Sequence, residues 1–281
     1  MSYAKKIDRS NPACIIFLLD QSASMDDHLS DGSGLTKAEG LANAINELLR
    51  TIVRRCVKEK DAAPRHYYDI GVIGYGKRVR PLFGGSLAGR PLASVGEIGN
   101  AILHMKEYDG VSRPVWFEPV ANGLTPMCEA FDIAGQAAAG WMQSHPNSFP
   151  AIVINITDGI ATSREQHGDS CQHEGSCDPT VWAGRIRGLA NSDGNVLLFT
   201  INMSANSQGP ISFPSSEASL PDDYARLLFR MSSELPGFMR DRAAELGVPT
   251  APDARGFVCN ADMSTVIRAL EVGTSLDRLE V

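Results

Sequence analysis

The sequence predicts an α/β fold: a doubly wound, mostly parallel central sheet with helices on both faces. Three observations carry that prediction. The runs Cys14 to Leu19, Ala151 to Ile156 and Val196 to Ile201 are apolar without polar alternation, as in central parallel strands covered on both sides. Helical patterns lie between them, the clearest from Thr36 to about Lys58. Strands and helices alternate along the chain, which implies right-handed crossovers and short loops.

Taken in order, Cys14 to Leu19 is the first strand. The helix that follows has Ala38, Leu41, Ala42, Ile45, Leu48, Leu49, Ile52, Val53 and Cys56 at three-and-four spacing, and Thr36 with Glu39 forms a capping box. Tyr68 to Tyr75 is a weaker strand candidate. Gly71 to Lys77 almost spells a phosphate loop, but Arg78 stands where Ser or Thr is required and no helix pattern follows, so a strand ending in a glycine turn is the better reading. A second helix opens at Thr125-Pro126, with proline at its first position, and runs to about Ser144. Further helices are expected at Pro179 to Asn191, Asp222 to Glu234, Gly237 to Leu246 and Met263 to about Leu276, with a short strand at Phe257 to Cys259. Phe83 to Gly123, Ile160 to Asp178 and Ser204 to Pro221 read as irregular.

The 281 residues carry a formal charge of −7, and Lys and Arg form no runs. Phosphate recognition needs clustered cations, so nucleic acid is not expected as a ligand, whereas an acidic chain suits divalent cations. The polar segment Met1 to Pro12 and the shortness of Cys14 to Leu19 imply neither a secretory leader nor a membrane span, and a cytoplasmic protein is expected. The six cysteines, Cys14, Cys56, Cys128, Cys171, Cys177 and Cys259, are scattered and read as buried thiols. The expected organisation is a tail over residues 1–12 and a single domain over 13–281, with loop insertions at about 83–123, 160–178 and 204–221.

Asp20-Gln21-Ser22-Ala23-Ser24 directly follows the first strand. One carboxylate and two hydroxyls on a single turn form a receptacle for a hard divalent cation, which prefers oxygen ligands. Asp158 follows the strand ending at Ile156-Thr157, and Thr125 sits at a loop-to-helix junction. In open α/β sheets ligands bind beyond the carboxyl ends of the strands. Asp20, Ser22, Ser24, Thr125 and Asp158 are therefore the candidate metal ligands. Each motif alone would read as a turn or a helix cap; their joint placement at one sheet edge favours a metal site.

Three motifs in one order, Asp20-x-Ser22-x-Ser24, Gly123-Leu124-Thr125-Pro126 and Thr157-Asp158-Gly159, resemble the metal-ion-dependent adhesion site of von Willebrand factor A (vWA) domains. The resemblance runs from about Ala13 to Leu276 and implies a Rossmann-like three-layer sandwich. It further implies that Ser22 and Ser24 bind the ion directly, that Thr125 binds directly or through water, and that Asp20 and Asp158 act largely through water. Mg²⁺ is the implied occupant, with Mn²⁺ or Ca²⁺ as alternatives, and a protein partner's Asp or Glu completes the coordination. A shift of the C-terminal helix coupled to ligand state is also implied. The Leu18-Leu19-Asp20-Gln21-Ser22-Ala23-Ser24-Met25 run is similar to intracellular bacterial members found near tellurium-resistance proteins. Ala23 departs from the usual glycine, which is tolerable where the backbone needs no positive φ.

The implied function is a non-catalytic, metal-dependent protein-binding module, an adaptor in a bacterial stress, signalling or defence system. The alternative is a metal-dependent hydrolase using the same cluster, which needs a general base beside the ion; His28 and His167 are near enough in sequence to keep it open. A haloacid-dehalogenase mechanism would need a second Asp at position 22, and no Gly-x-Ser-x-Gly elbow is present. His167, Cys171, His173 and Cys177 match no standard zinc spacing and read as a surface loop. Trp116 and Phe117 read either as packing residues or as anchors beside the site.

Overall fold

The computed structural model describes residues 3–29, 31–59, 62–108, 110–162, 177–203 and 209–275. Its first strand, β1 (Ala13–Asp20), is buried along its whole length. Alternate side chains serve opposite layers, as the period of a strand requires: Ile15, Phe17 and Leu19 join one core, and Cys14, Ile16 and Leu18 join the other. The same two-sided burial holds for β2 (Tyr68–Tyr75), β7 (Ile152–Thr157) and β8 (Leu197–Asn202), which is why these runs are apolar without alternation.

The sheet order is β3-β2-β1-β7-β8-β10-β9, where β3 is Val79–Pro81, β9 Ile211–Ser212 and β10 Phe257–Cys259. The pairings β2-β1, β1-β7, β7-β8 and β8-β10 are parallel. The short strands β3, β9 and β4 (Ala93–Ser94) add antiparallel edges. Helices α1 (Lys37–Cys56), α2 (Val95–Asn100), α6 (Gly237–Glu245) and α7 (Met263–Gly273) cover one face. The other face carries α3 (Met127–Ser144), α4 (Pro179–Gly188) and α5 (Asp223–Met231). The predicted doubly wound three-layer sandwich is the architecture found.

Because β2 and β7 flank β1 on opposite sides, the winding reverses at β1. The carboxyl end of β1 is therefore the crevice of the sheet.

Local chemistry set the helix starts. Thr36 and Glu39 form the expected reciprocal capping box of α1, and Asp178, Asp222 and Asp262 cap α4, α5 and α7 through their carboxylates. One expectation needs correcting: Pro126 is the N-cap of α3, not its first residue, with ψ at 57°, and the helix begins at Met127. The stretch Phe83 to Gly123 is also less irregular than expected. It holds β4, α2 and a separate hairpin of β5 (His104–Tyr108) and β6 (Val111–Val115). The hairpin is tied to α1 by Tyr108, whose hydroxyl donates to Asn43 at 2.8 Å. Asn46 accepts the Trp116 backbone N–H at 2.8 Å and donates to the Phe117 carbonyl at 3.1 Å. Trp116 and Phe117 are buried, so packing is their role.

Residues 3–12 lie against the body: Ile7 is buried, and the backbone N–H groups of Ala4 and Lys5 donate to the Asp193 carboxylate. Cys14, Cys56, Cys128 and Cys259 are buried as expected, whereas Cys177 is only half-buried; Cys171, with His167 and His173, lies outside the described residues.

Candidate metal centre

Asp20 is the last residue of β1 and is buried; its neighbour Ser22 opens a single 3-10 turn over Ala23–Asp26. Met25, fully buried, pins that turn to the core, which leaves the Ser24 hydroxyl at the surface. Ala23 has no positive φ, so the alanine carries no strain in place of glycine.

The side chains form a chain of hydrogen bonds. The Asp20 carboxylate accepts the Ser22 backbone N–H at 2.8 Å and the Thr157 hydroxyl at 2.6 Å. The hydroxyls of Ser22 and Ser24 are 3.1 Å apart, and Ser24 donates to Asp158 Oδ1 at 2.7 Å. Thr125 approaches the same place from the third loop. Its Oγ1 and the Ser24 Oγ stand 3.5 and 3.6 Å from where a β-carbon on Gly159 would be. All five predicted residues thus come from three loops to one place at the carboxyl edge. Thr157 orients Asp20, and the Tyr224 hydroxyl donates to the Gly159 carbonyl, fixing the turn after β7.

One further residue was missed from sequence. Lys37 is 8% exposed, and its Nζ is 2.8 Å from Asp158 Oδ2 and 3.2 Å from Asp27 Oδ2. The Asp158 side chain is 1% exposed, so this ammonium is the internal counter-charge of a buried carboxylate, whereas Asp27 is 71% exposed and contributes less. Burial works against the ammonium, but the hydrogen bond and charge of Asp158, with a smaller part from Asp27, outweigh it and raise its pKa. A signal existed: Lys37 is the first residue of α1, where a cation opposes the helix dipole.

Among the described residues Asp20 has no such partner. Burial pushes its carboxyl from 3.8 up to about 6, the hydrogen bonds from Thr157 and Ser22 pull the other way, and the Asp158 charge adds to the rise. A buried carboxylate with no cation beside it, next to three hydroxyls, is a donor set that fits a hard divalent ion. Asp20, Ser22, Ser24, Thr125 and Asp158 would hold it. Among the described residues no group of three or more His, Cys, Asp or Glu converges, so this cluster has the hydroxyl-rich make-up of a hard-ion site and not that of a His/Cys zinc site.

Fold and cluster together define the class: a three-layer, doubly wound α/β module with oxygen donors at the point where its sheet reverses. No protein-family profile and no curated protein matches the chain. Solved structures do resemble it. One is proximal thread matrix protein 1 from the mussel byssus with a zinc-occupied MIDAS motif (16% identity, 98% of this chain and 50% of that one, TM-score 0.49). Another is the vWF domain of the type V pili tip protein Mfa5 from Porphyromonas gingivalis (9% identity, 98% and 96%, TM-score 0.46). Manganese-loaded TRAP protein of Plasmodium vivax is a third (13% identity, 97% and 77%, TM-score 0.42). The chain spans about half the length of the mussel protein. At these identities the likeness lies in the course of the chain, and side-chain roles rest on the geometry of this protein. Among the described residues no helix is long and apolar enough to cross a membrane.

Proposed function

We propose that the chain is a metal-dependent protein-binding module: Asp20, Ser22, Ser24, Thr125 and Asp158 hold Mg²⁺, and a partner's Asp or Glu supplies the outermost ligand. The observation that carries this reading is the gathering of two carboxylates and three hydroxyls at the sheet's crevice, with Ser24 at the mouth. Mg²⁺ favours about six oxygen ligands, and an ion held by these residues would supply an electrophilic point for an incoming carboxylate. The chain's own work is positioning. Met25 anchors the hydroxyl turn, Thr157 aims Asp20, and Lys37 offsets the charge of Asp158.

Binding is favoured over hydrolysis by what surrounds the cluster. A general base must lie within reach of a reacting water. His28 instead faces the Gly34 carbonyl at 3.2 Å, and the only cation on the cluster among the described residues, Lys37, is held by two carboxylates. His167 lies outside the described residues.

The reading extends to an adaptor inside a bacterial cell, in a stress, signalling or defence system of the kind found near tellurium-resistance proteins. What supports that part is the run from Leu18 to Met25 alone. Fractionation of the native host tests it, since recovery outside the cytoplasm would exclude it.

The binding claim is tested by affinity capture from native lysate with wild-type and Asp20→Ala bait, each in Mg²⁺ and in chelator. A partner retained by wild type in Mg²⁺ and lost in the other three conditions is expected. Equal retention in all four, with both baits folded by circular dichroism, would overturn it.

A further inference from the structure

Beside the metal cluster the fold builds a cleft that the ligand motif does not use. Its volume is about 280 Å³, and it is lined by Gln21, Lys77, Arg78, Arg80, Val120 and Asn122. Lys77, Arg78 and Arg80 are exposed, and among the described residues none has a carboxylate within ion-pair distance. Elsewhere several arginines pair, Arg50 with Glu47, Arg90 with Glu97, Arg226 with Asp223 and Arg230 with Glu217, and what sets the cleft apart is that its three cations line one concavity. In a chain of net charge −7, three unopposed cations around one concavity form a local reversal of sign.

The cleft is laced to the metal loops by backbone hydrogen bonds. Gln21 donates to Tyr75 at 2.7 Å, Asn122 to Gln21 at 2.6 Å, Lys77 to Asn122 at 2.8 Å, and Ala23 to Gly123 at 3.0 Å. Those contacts join the turn carrying Ser22 and Ser24, the turn after β2, and the segment leading to Thr125. The approach is close enough to require glycine. A β-carbon on Gly76 would lie 2.5 Å from the Gln21 carbonyl oxygen, and one on Gly123, at φ +95°, would lie 2.4 Å from the Lys77 nitrogen. The turn that carries the cations is thus tied through its backbone to the loops of the cluster. Directly beyond Ser24 stand the exposed carboxylates Asp26 and Asp27, followed by His28.

We propose that this cleft seats an acidic stretch of the partner chain adjoining the carboxylate that reaches the metal, with Lys77, Arg78 and Arg80 reading its negative charge. The proposal rests on the metal-dependent binding reading above and adds a chemistry and a direction to it. A negative segment is drawn toward Lys77, Arg78 and Arg80 and repelled by Asp26, the charge of Asp27 being partly offset by Lys37, so the partner crosses the site in one sense.

The test uses the full chain and a fluorescein-labelled Gly-Glu-Glu-Gly-Glu-Glu-Gly peptide, followed by anisotropy at low salt in Mg²⁺ and in EDTA. Arg78→Glu with Arg80→Glu is compared with a control of equal charge change, Arg54→Glu with Arg55→Glu, at the far end of α1. In Mg²⁺ the cleft variant is expected to bind the peptide about tenfold more weakly than wild type, as two reversed charge contacts imply, and to lose most of its salt dependence. The control is expected to match wild type, and the cleft variant is expected to keep the wild-type Mg²⁺-induced rise in melting temperature. Equal peptide affinity of wild type and cleft variant, equal weakening in the control, or no binding by wild type would each overturn the proposal. Binding lost in the cleft variant yet indifferent to EDTA would keep the cleft and defeat the metal bridge instead.

Discussion

Lys37 offers the sharpest perturbation of the cluster. Replacing it by methionine keeps the apolar stem and deletes the ammonium 2.8 Å from Asp158 Oδ2. The Asp158 side chain is 1% exposed, so its charge is left without its partner in a place water hardly reaches. Removing one member of a buried ion pair costs about 3–5 kcal/mol. The lower end applies here, because Ser24 still donates to Asp158 Oδ1 at 2.7 Å. A loss of roughly 3 kcal/mol corresponds to a fall in melting temperature of about 6 °C or more for a chain of this size. Scanning fluorimetry in EDTA reads that fall directly. Mg²⁺ restores positive charge to the same carboxylate, so the variant is expected to gain more from Mg²⁺ than wild type and to recover most of the loss. Adding Asp158→Asn removes the uncompensated charge, and the double variant is expected to be more stable in EDTA than Lys37→Met alone. A Lys37→Met protein melting within about 1 °C of wild type in EDTA would refute the reasoning.

Three other outcomes follow from the same geometry. Asp20 in the folded metal-free protein holds its proton up to about 6, against 3.8 for the ordinary carboxyl. Between those values the folded state binds more protons than the unfolded chain, so stability in EDTA is expected to fall by roughly 3 kcal/mol as pH climbs through that window. Asp20→Asn should flatten that slope in urea titrations and abolish the stabilisation by Mg²⁺; an unchanged slope would show that Asp20 is not its source. Gly123→Ala forces a side chain into φ +95° and against the Lys77 backbone, and a loss of about 2 kcal/mol or more is expected by urea unfolding. Asn46→Ala strands the Trp116 N–H and the Phe117 carbonyl, for an expected loss of about 2–4 kcal/mol in the same assay.

The strands were legible where burial on both faces left runs that are apolar but for one or two buried polar residues, as in β1, β7 and β8. The five oxygen donors were legible because three of the motifs follow strands or precede a helix at one sheet edge. The β5–β6 hairpin was not, because His104 to Glu107 are exposed and break the apolar pattern. Its signal was Asp109-Gly110, the dipeptide of a tight hairpin, and Tyr108 does pair with Val111 across a two-residue connection. Lys37 and the cations Lys77, Arg78 and Arg80 escaped for a different reason. Their meaning lies in which charges stand beside them after folding, and a single lysine after a cap or two arginines near a turn carry no such information in one dimension. Thr157 was read only as part of the Asp158 motif, although its hydroxyl is what holds Asp20 in place.

Diffraction from crystals equilibrated with Mn²⁺, with the anomalous signal used to locate the ion, addresses the metal reading most directly. One strong peak is expected among Asp20, Ser22, Ser24, Thr125 and Asp158, within about 2.5 Å of the Ser22 and Ser24 hydroxyl oxygens. A saturated crystal with no peak there, and with Ser24 still donating to Asp158, would contradict it.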